Sequence, residues 1–259
     1  MYLEDGRILA FAHRGGAYHP EIEGLENTLA AFRHAAALGY DYLETDVHVT
    51  KDGALLAFHD HVLDRVTDRM GAVRDLTLAQ VREARIGGRE QIPTFEELLD
   101  AFPEARFNID IKSSGAAAAL ADLVRARDLA DRVLVGSFSP ARIREFRRLT
   151  GGRVPTAAHP WEILAFRLLP SARLADRIAG RDFAAFQVPH RRYGLTVVTP
   201  GLVRRAHAAG KQVHVWTIDD PDEMRLLLDR GVDGLFTDRT DLLKDVLMSR
   251  GQWRSQTGR

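Results

Sequence analysis

Short apolar runs alternate along this chain with longer stretches of helical periodicity. A parallel sheet with helical crossovers is typical of that alternation. The runs that predict strands cover residues 8–12, 42–49, 106–112, 133–138, 155–158, 184–188, 213–218 and 234–237. Eight units of strand plus helix predict an α/β fold, a (β/α)8 TIM barrel, and we expect residues 1–259 to form a single barrel domain.

Helical periodicity and capping residues place several of the helices. A helix over 29–38 begins after Asn27 or Thr28 as N-cap and ends at Gly39. An alanine-rich helix covers 116–127, and a last helix ends near Met248. We expect the polar tail at 250–259 to fray.

The alternation breaks between residues 61 and 102. Only short helical stretches, at 78–84 and 95–101, stand among glycines there. This composition predicts a small insertion that follows the second strand and its hairpin.

Acidic and basic groups concentrate around that hairpin. Strand periodicity places Glu44 and Asp46 on one face of the second strand. A turn at 51–53 returns the chain and brings His59 opposite Thr45. Neighbouring carboxylates repel unless a cation lies between them, and oxygen ligands suit a hard divalent ion. The alternative is that Glu44 and Asp46 face solvent and His59 is an ordinary loop histidine. The concentration of titratable groups in this segment disfavours that alternative.

Composition excludes several classes of function. The 259 residues contain 36 Lys plus Arg and 36 Asp plus Glu, so charge gives no indication of a nucleic-acid partner. The absence of cysteine excludes disulfides, thiolate catalysis and cysteine-bound zinc. No apolar run approaches the ~18–20 residues of a transmembrane helix. We therefore expect a cytoplasmic protein that acts on a small molecule.

An ordered set of motifs resembles the glycerophosphodiester phosphodiesterase family over nearly the whole chain. The motifs are HRG at 13–15, ENT at 26–28, ETDV at 44–47, KDG at 51–53, HD at 59–60, IPT at 92–94, NIDIK at 108–112, VWT at 215–217 and GLFTD at 234–238. The resemblance also implies a TIM barrel with a small insertion. The activity that it implies is hydrolysis of a glycerophosphodiester to an alcohol and sn-glycerol 3-phosphate.

The resemblance implies a role for each polar residue at the strand ends. Glu44, Asp46 and Asp110 would hold a divalent cation, Mg²⁺ or Ca²⁺. Arg14 and Lys112 would bind the phosphate. The acid–base pair would be His13 and His59, with the order of their roles left open and His48 or His61 as alternatives to His59. Phe138 and Trp216 would form walls for the substrate, with core packing as their alternative role.

Two departures from the family pattern affect this site. Asp110 stands where the family more often has glutamate, so its role as a ligand is weaker. Four residues, at 22–25, lengthen the loop before Glu26. Glu26 is expected to reach the site either as an outer metal ligand or as a hydrogen-bond partner of Arg14.

Other functions stay open at this stage. A catalytically silent binding barrel is one alternative, although both histidines and the three acids are present. The metal-dependent amidohydrolase barrel is disfavoured because strand one ends in His-Arg-Gly and not in His-x-His. A nearly all-apolar helix is predicted at 161–170. Three alternatives are open for it: it packs on the barrel, it forms a dimer interface, or it provides an apolar lip that accepts an acyl chain. The lip would give lysophospholipase D activity on lysophospholipids. The head group and the oligomeric state stay open.

Overall fold

A computed structural model describes residues 2–3, 6–169, 171–179 and 182–253. Its strands are β1 (Leu9–Ala12), β2 (Tyr42–Val49), β3 (Leu55–Ala57), β4 (Arg106–Ile111), β5 (Val133–Gly136), β6 (Ala185–Pro189), β7 (Arg191–Arg192), β8 (Leu195–Thr196), β9 (Gln212–Trp216) and β10 (Gly234–Thr237). Its helices are α1 (Leu29–Ala37), α2 (Leu78–Val81), α3 (Phe95–Ala101), α4 (Ala116–Ala126), α5 (Pro140–Thr150), α6 (Pro160–Leu168), α7 (Ala172–Ala179), α8 (Pro200–Ala208), α9 (Pro221–Asp229) and α10 (Thr240–Ser249).

Parallel strands in the order β5-β4-β2-β1-β10-β9-β6 form most of the barrel. The predicted fifth strand, 155–158, closes the remaining gap through two parallel bridges, Val135 to Thr156 and Ala157 to Ala185. Its pairing is too short to form a regular strand, but its position is the predicted one. The (β/α)8 barrel is therefore confirmed.

Side chains alternate between the barrel interior and the layer under the helices. Phe11 and Tyr42 point inward with Phe236, and the rings of Phe11 and Phe236 stack at 4.2 Å. Ala12 and Leu43 point outward into the larger core. Because Glu44 and Asp46 follow Tyr42 at even spacing, β2 directs both carboxylates into the barrel at its carboxyl end.

The insertion at 61–102 has its own apolar cluster. Leu63, Val81 and Ile92 are buried there against Leu56 and Phe58. β3 pairs with β2 in antiparallel register, with Val47 opposite Ala57. The short helix predicted at 78–84 ends at Val81, and α3 has the predicted bounds. The insertion therefore packs over the hairpin that carries His59.

The apolar helix predicted at 161–170 is α6, and it divides into two faces. Phe166 is fully buried against Phe183 and Phe186, as the packing alternative for this helix requires, so Phe166 does not belong to an apolar lip. Trp161 and Leu168 are exposed. Pro170, the end of the predicted helix, lies outside the described residues.

The end of the chain is better ordered than expected up to Trp253. The Trp253 ring packs edge-on against Tyr40 at 5.1 Å, whereas residues 254–259 lie outside the described part of the chain. No described helix is long and apolar enough to cross a membrane.

Candidate active site

The turn after β1 brings the HRG motif into the barrel mouth. Arg14 has a positive φ of 49°, and its backbone N–H donates to Oε2 of Glu44 at 3.0 Å. Gly15 follows with φ 88°, and a Cβ there would lie 2.7 Å from Cβ of Ala31. Only glycine combines this conformation with so close an approach of α1. The turn therefore fixes His13 and Arg14 over the end of β2.

A cavity of about 390 Å³ opens at the carboxyl ends of the strands. It is lined by every predicted site residue except Glu26, namely His13, Arg14, Glu44, Asp46, His59, Asp110, Lys112, Phe138 and Trp216. These residues come from several barrel strands and meet in one place. Active sites of TIM barrels lie at this face.

Two cations and two carboxylates form the centre of the cavity. Asp46 and Asp110 are register neighbours on β2 and β4. Nζ of Lys112 lies 3.0 Å from Oδ1 of Asp46 and 2.7 Å from Oδ2 of Asp110. Nε of Arg14 lies 3.2 Å from Oδ2 of Asp46, as an ion pair. Asn27 donates its amide N–H to the same Oδ2 atom at 3.2 Å.

Burial and charge separate the acidities of the three carboxyls. Burial and the neighbouring charge of Asp46 raise the pKa of Glu44. Burial opposes ionisation of Asp46, but Lys112 and Arg14 outweigh it and lower the Asp46 pKa. Burial raises the pKa of Asp110 in spite of Lys112. Burial therefore favours the protonated forms of Glu44 and Asp110, whereas the two cations favour the ionised form of Asp46.

Asp238 holds the ring of His13. Nδ1 of His13 lies 2.8 Å from Oδ1 of Asp238, and Nε2 lies 3.8 Å from Oε2 of Glu44. Burial lowers the pKa of His13, but Glu44 and Asp238 together raise it above its ordinary value. This environment favours the protonated imidazolium.

His59 has a similar partner but the opposite acidity. Its Nδ1 atom lies 2.5 Å from Oδ1 of Asp60. Burial and the positive charges of Arg14 and Lys112 lower the pKa of His59, although Asp46 opposes them. The neutral imidazole is therefore favoured. His48 is buried with Nε2 3.0 Å from the His59 carbonyl oxygen, so it supports the backbone of His59.

Glu26 lies beside Arg14 and outside the cavity lining. Its Oε1 atom accepts a hydrogen bond from Nη1 of Arg14 at 3.2 Å. The sequence left open whether Glu26 is an outer metal ligand or a hydrogen-bond partner of Arg14, and in the structure it is a hydrogen-bond partner of Arg14. Thr28, and not Asn27, is the N-cap of α1, because its side chain accepts from the N–H of Ala31. Asn27 is thereby free to contact Asp46.

Phe138 and Trp216 form one wall of the cavity. Their rings meet edge-to-face at 5.7 Å, and Nζ of Lys112 lies 5.7 Å from the Phe138 centroid. Phe138 is 56% exposed. The wall is therefore open to a ligand, and the core-packing alternative does not describe Phe138.

The three acidic residues suit a hard cation in chemistry. They supply only carboxylate oxygens, which Mg²⁺ and Ca²⁺ prefer, and Oδ1 of Asp110 is buried without a hydrogen-bond partner. In the described part of the chain, however, no three acidic or histidine side chains converge at metal-binding geometry, because Lys112 lies between Asp46 and Asp110. The donor atoms therefore suit a divalent cation by their chemistry, whereas Lys112 competes for the oxygens of Asp46 and Asp110.

Sequence reasoning assigned no role to Asn27, Asp60 or Asp238 in this site. Asp60 and Asp238 stood within motifs, but their contacts to histidine rings depend on the fold. Asn27 has φ 58°, and its Oδ1 atom accepts from Thr45 while its Nδ2 donates to Asp46. The signal available in the sequence was an asparagine directly before Thr28, the other candidate for the N-cap.

Comparisons with known proteins agree with this geometry. A sequence model of the Glycerophosphoryl diester phosphodiesterase family matches residues 13–242. The protein named "Probable glycerophosphodiester phosphodiesterase 2" of Mycobacterium tuberculosis is 44% identical over 97% of this chain and 95% of its own length. A glycerophosphodiester phosphodiesterase of Caldanaerobacter subterraneus is 29% identical, over 95% of this chain and its full length. An Oleispira antarctica phosphodiesterase, solved with the product sn-glycerol-3-phosphate, superposes with a TM-score of 0.77 at 22% identity, covering 93% of this chain and 96% of its own.

Proposed function

Because this chain belongs to the glycerophosphoryl diester phosphodiesterase family, we propose that it hydrolyses glycerophosphodiesters to an alcohol and sn-glycerol 3-phosphate. The observation that carries the proposal is the pair of histidines, each with Nδ1 beside an aspartate, in a cavity that also contains Arg14 and Lys112. The Oleispira antarctica relative was solved with sn-glycerol-3-phosphate, which is the product that this reaction would release.

Arg14 and Lys112 offset the charge of the diester. Arg14 presents a planar fork to two phosphate oxygens, and Lys112 adds a point charge. Both side chains are already fixed by carboxylates, so they lose little freedom when phosphate binds. Electrostatic stabilisation of this kind acts most strongly where water is excluded.

His59 and His13 divide the proton transfers. His59, favoured as neutral imidazole, accepts a proton from the attacking water at Nε2 while the oxygen of that water bonds to phosphorus. His13, favoured as imidazolium, donates its Nε2 proton to the leaving alkoxide as the phosphorus–oxygen bond breaks. Groups whose environments separate their pKa values are suited to these opposite roles.

Glu44, Asp46 and Asp110 are the residues that would hold a divalent cation, and members of the family generally depend on one. When bound, such a cation supplies charge neutralisation to a non-bridging phosphate oxygen. The choice between Mg²⁺ and Ca²⁺ is part of the test. We propose that the barrel and its insertion act as one catalytic domain, because the insertion packs on the hairpin of His59.

The experiment is turnover of glycerophosphocholine by metal-stripped protein to which Mg²⁺ or Ca²⁺ is returned. We expect release of sn-glycerol 3-phosphate that EDTA abolishes and one of the two ions restores. Failure to hydrolyse any glycerophosphodiester with either ion would refute the proposal.

A lysophospholipid is a second candidate substrate. The cavity lining also contains apolar side chains, namely Phe138, Pro160, Ile163, Val188 and Trp216. Pro160 and Ile163 belong to the first turn of α6, which also exposes Trp161. An acyl chain on the glycerol would find apolar contacts among these side chains, which favours lysophospholipase D activity as the alternative.

A further inference from the structure

Arg65 connects two acidic residues that the mechanism does not use directly. It follows Asp60 by five residues, at the start of the insertion, and donates from Nε to Oδ2 of Asp60 at 2.6 Å. Its Nη1 and Nη2 atoms donate to the two carboxylate oxygens of Glu26 at 2.9 and 2.6 Å. Arg65 thus binds Glu26 with the fork formed by Nη1 and Nη2 and binds Asp60 with the Nε edge of its guanidinium.

Each of these acids has a partner inside the cavity. Asp60 holds Nδ1 of His59, and Glu26 holds Nη1 of Arg14. Asp60, Glu26 and Arg65 are not among the described residues that line the cavity. The chain of contacts therefore runs from His59 to Arg14 behind the site, through Asp60, Arg65 and Glu26.

Charge makes Arg65 the necessary member of this chain. Two carboxylates held side by side repel each other unless a cation bridges them. A lysine supplies the charge but lacks the planar fork that donates to both oxygens of Glu26 while Nε donates to Asp60. Without a guanidinium here, Asp60 is free to turn away from His59, and Glu26 is free to bind Arg14 more fully.

We propose that Arg65 is a positioning residue for the phosphodiesterase reaction. It fixes Asp60 and Glu26 so that Nε2 of His59 and the fork of Arg14 face the same phosphate. The inference rests on the proposed function for its catalytic consequence. The position of the His59 ring, however, can be measured without turnover.

The first test compares Arg65→Ala and Arg65→Lys with a matched control. Arg69→Ala removes another arginine of the same insertion, whose Nη2 lies 3.8 Å from Glu83. We expect kcat/KM to fall about 10–100-fold in Arg65→Ala, because misplaced reacting groups cost that much. The kcat/KM of Arg65→Lys should lie between those of wild type and Arg65→Ala. Added guanidinium ion should partly restore the kcat/KM of Arg65→Ala. The kcat/KM of Arg69→Ala should match that of the wild type. Half-exposed ion pairs contribute little to stability, so Tm should hardly change.

The second test separates positioning from general destabilisation. In Arg65→Ala/Asp60→Asn, the loss should be no larger than that of the more damaging single variant, because both changes break one chain of contacts. Multiplicative losses would overturn the proposal. So would an Arg65→Ala protein within twofold of wild-type kcat/KM, or a loss that merely follows the fraction unfolded.

Nuclear magnetic resonance of the His59 ring tests the same inference independently of activity. Because a carboxylate only accepts hydrogen bonds, Asp60 favours the His59 tautomer with a proton on Nδ1. We expect ¹⁵N shifts of that tautomer in wild type and Arg69→Ala, and a mixture of tautomers in Arg65→Ala. An unchanged tautomer in Arg65→Ala would refute the positioning role. If the tautomer shifts but the wild type hydrolyses no glycerophosphodiester, the proposed function fails and the positioning role stands.

Discussion

Nδ1 of His13 lies 2.8 Å from Oδ1 of Asp238, although 225 residues separate them along the chain. The contact crosses the seam where β1 pairs with β10, with Ala12 opposite Thr237. The backbone N–H of Asp238 in turn donates to Oδ1 of Asp219 at 2.8 Å. Closure of the barrel therefore sets the orientation of one of the two histidines.

Asp238→Asn should damage catalysis more than folding. Asparagine has nearly the same shape, but its amide N–H favours the opposite tautomer of His13 and removes the charge that stabilises imidazolium. We expect kcat to fall about 10²–10⁴-fold, the scale of such changes in other hydrolases. The control is Asp222→Asn, an exposed residue of α9 paired with Arg225. Equal kcat in both variants would remove Asp238 from the mechanism.

The two histidines should give a bell-shaped dependence of kcat/KM on pH. His59 acts as neutral base, and its pKa lies below the ordinary 6.5, so activity falls on the acidic side as His59 takes up a proton. His13 acts as protonated acid, and its pKa lies above 6.5, so activity falls on the alkaline side as His13 loses its proton. Both groups are in the active form between these two values.

The dependence of kcat/KM on pH is measured with the cation returned to metal-stripped protein. Asp238→Asn should move the alkaline limb to lower pH, because it removes one of the two acids that raise the pKa of His13. An alkaline limb that stays in place would show that another group than His13 controls it.

The main effect of Glu44→Gln should be a lower affinity for the divalent cation. Glu44 supplies a buried carboxylate whose pKa is raised by burial and by Asp46, so its charge is relieved when a cation binds. Calorimetric titration with Mg²⁺ and Ca²⁺ should give an affinity at least about tenfold lower than in wild type, because even the loss of a residue that only hydrogen-bonds a metal ligand costs about 10–100-fold. Glu83→Gln, at an exposed position of the insertion, is the control. Equal affinities in Glu44→Gln and wild type would place the cation elsewhere.

Local patterns predicted the barrel and the position of most site residues. The turn at 51–53 fixes the hairpin register, and the pairing of Val47 with Ala57 has the register from which His59 was predicted to lie opposite Thr45. The alternation along β2 correctly directed Glu44 and Asp46 to one face. These features depend on neighbours in sequence, where turn chemistry and strand period decide the outcome.

Contacts between distant segments were not predictable in the same way. Asp238 meets His13 only because the barrel closes, and Arg65 meets Glu26 only because the insertion folds back over the hairpin. In α6, composition indicated an apolar helix but could not distinguish Phe166, which is buried, from Trp161, which is 66% exposed. Which face of α6 is covered depends on Phe183 and on Phe186 of β6, which pack against Phe166.

Ile163→Ala tests whether the apolar wall accepts an acyl chain. Ile163 lines the cavity, and full burial of a side chain of this size contributes about 1.5–3 kcal/mol. If a lysolipid binds here, kcat/KM for lysophosphatidylcholine should fall about tenfold or more, whereas kcat/KM for glycerophosphocholine should hardly change. Leu168→Ala, on the exposed face of the same helix, should change neither. A wild type without preference for the lysolipid, or equal losses on both substrates, would leave the deacylated diester as the substrate.

The central claim is that His13 and His59 together catalyse hydrolysis of a glycerophosphodiester. The most direct measurement is the rate of sn-glycerol 3-phosphate release from glycerophosphocholine by wild type, His13→Ala and His59→Ala, with the restoring cation present. His207→Ala, at a histidine paired with Asp233 away from the cavity, is the control. We predict losses of about 10²–10⁴-fold in the first two variants, with cation affinity retained, and none in the control. Wild-type rates in either His13→Ala or His59→Ala would contradict the account.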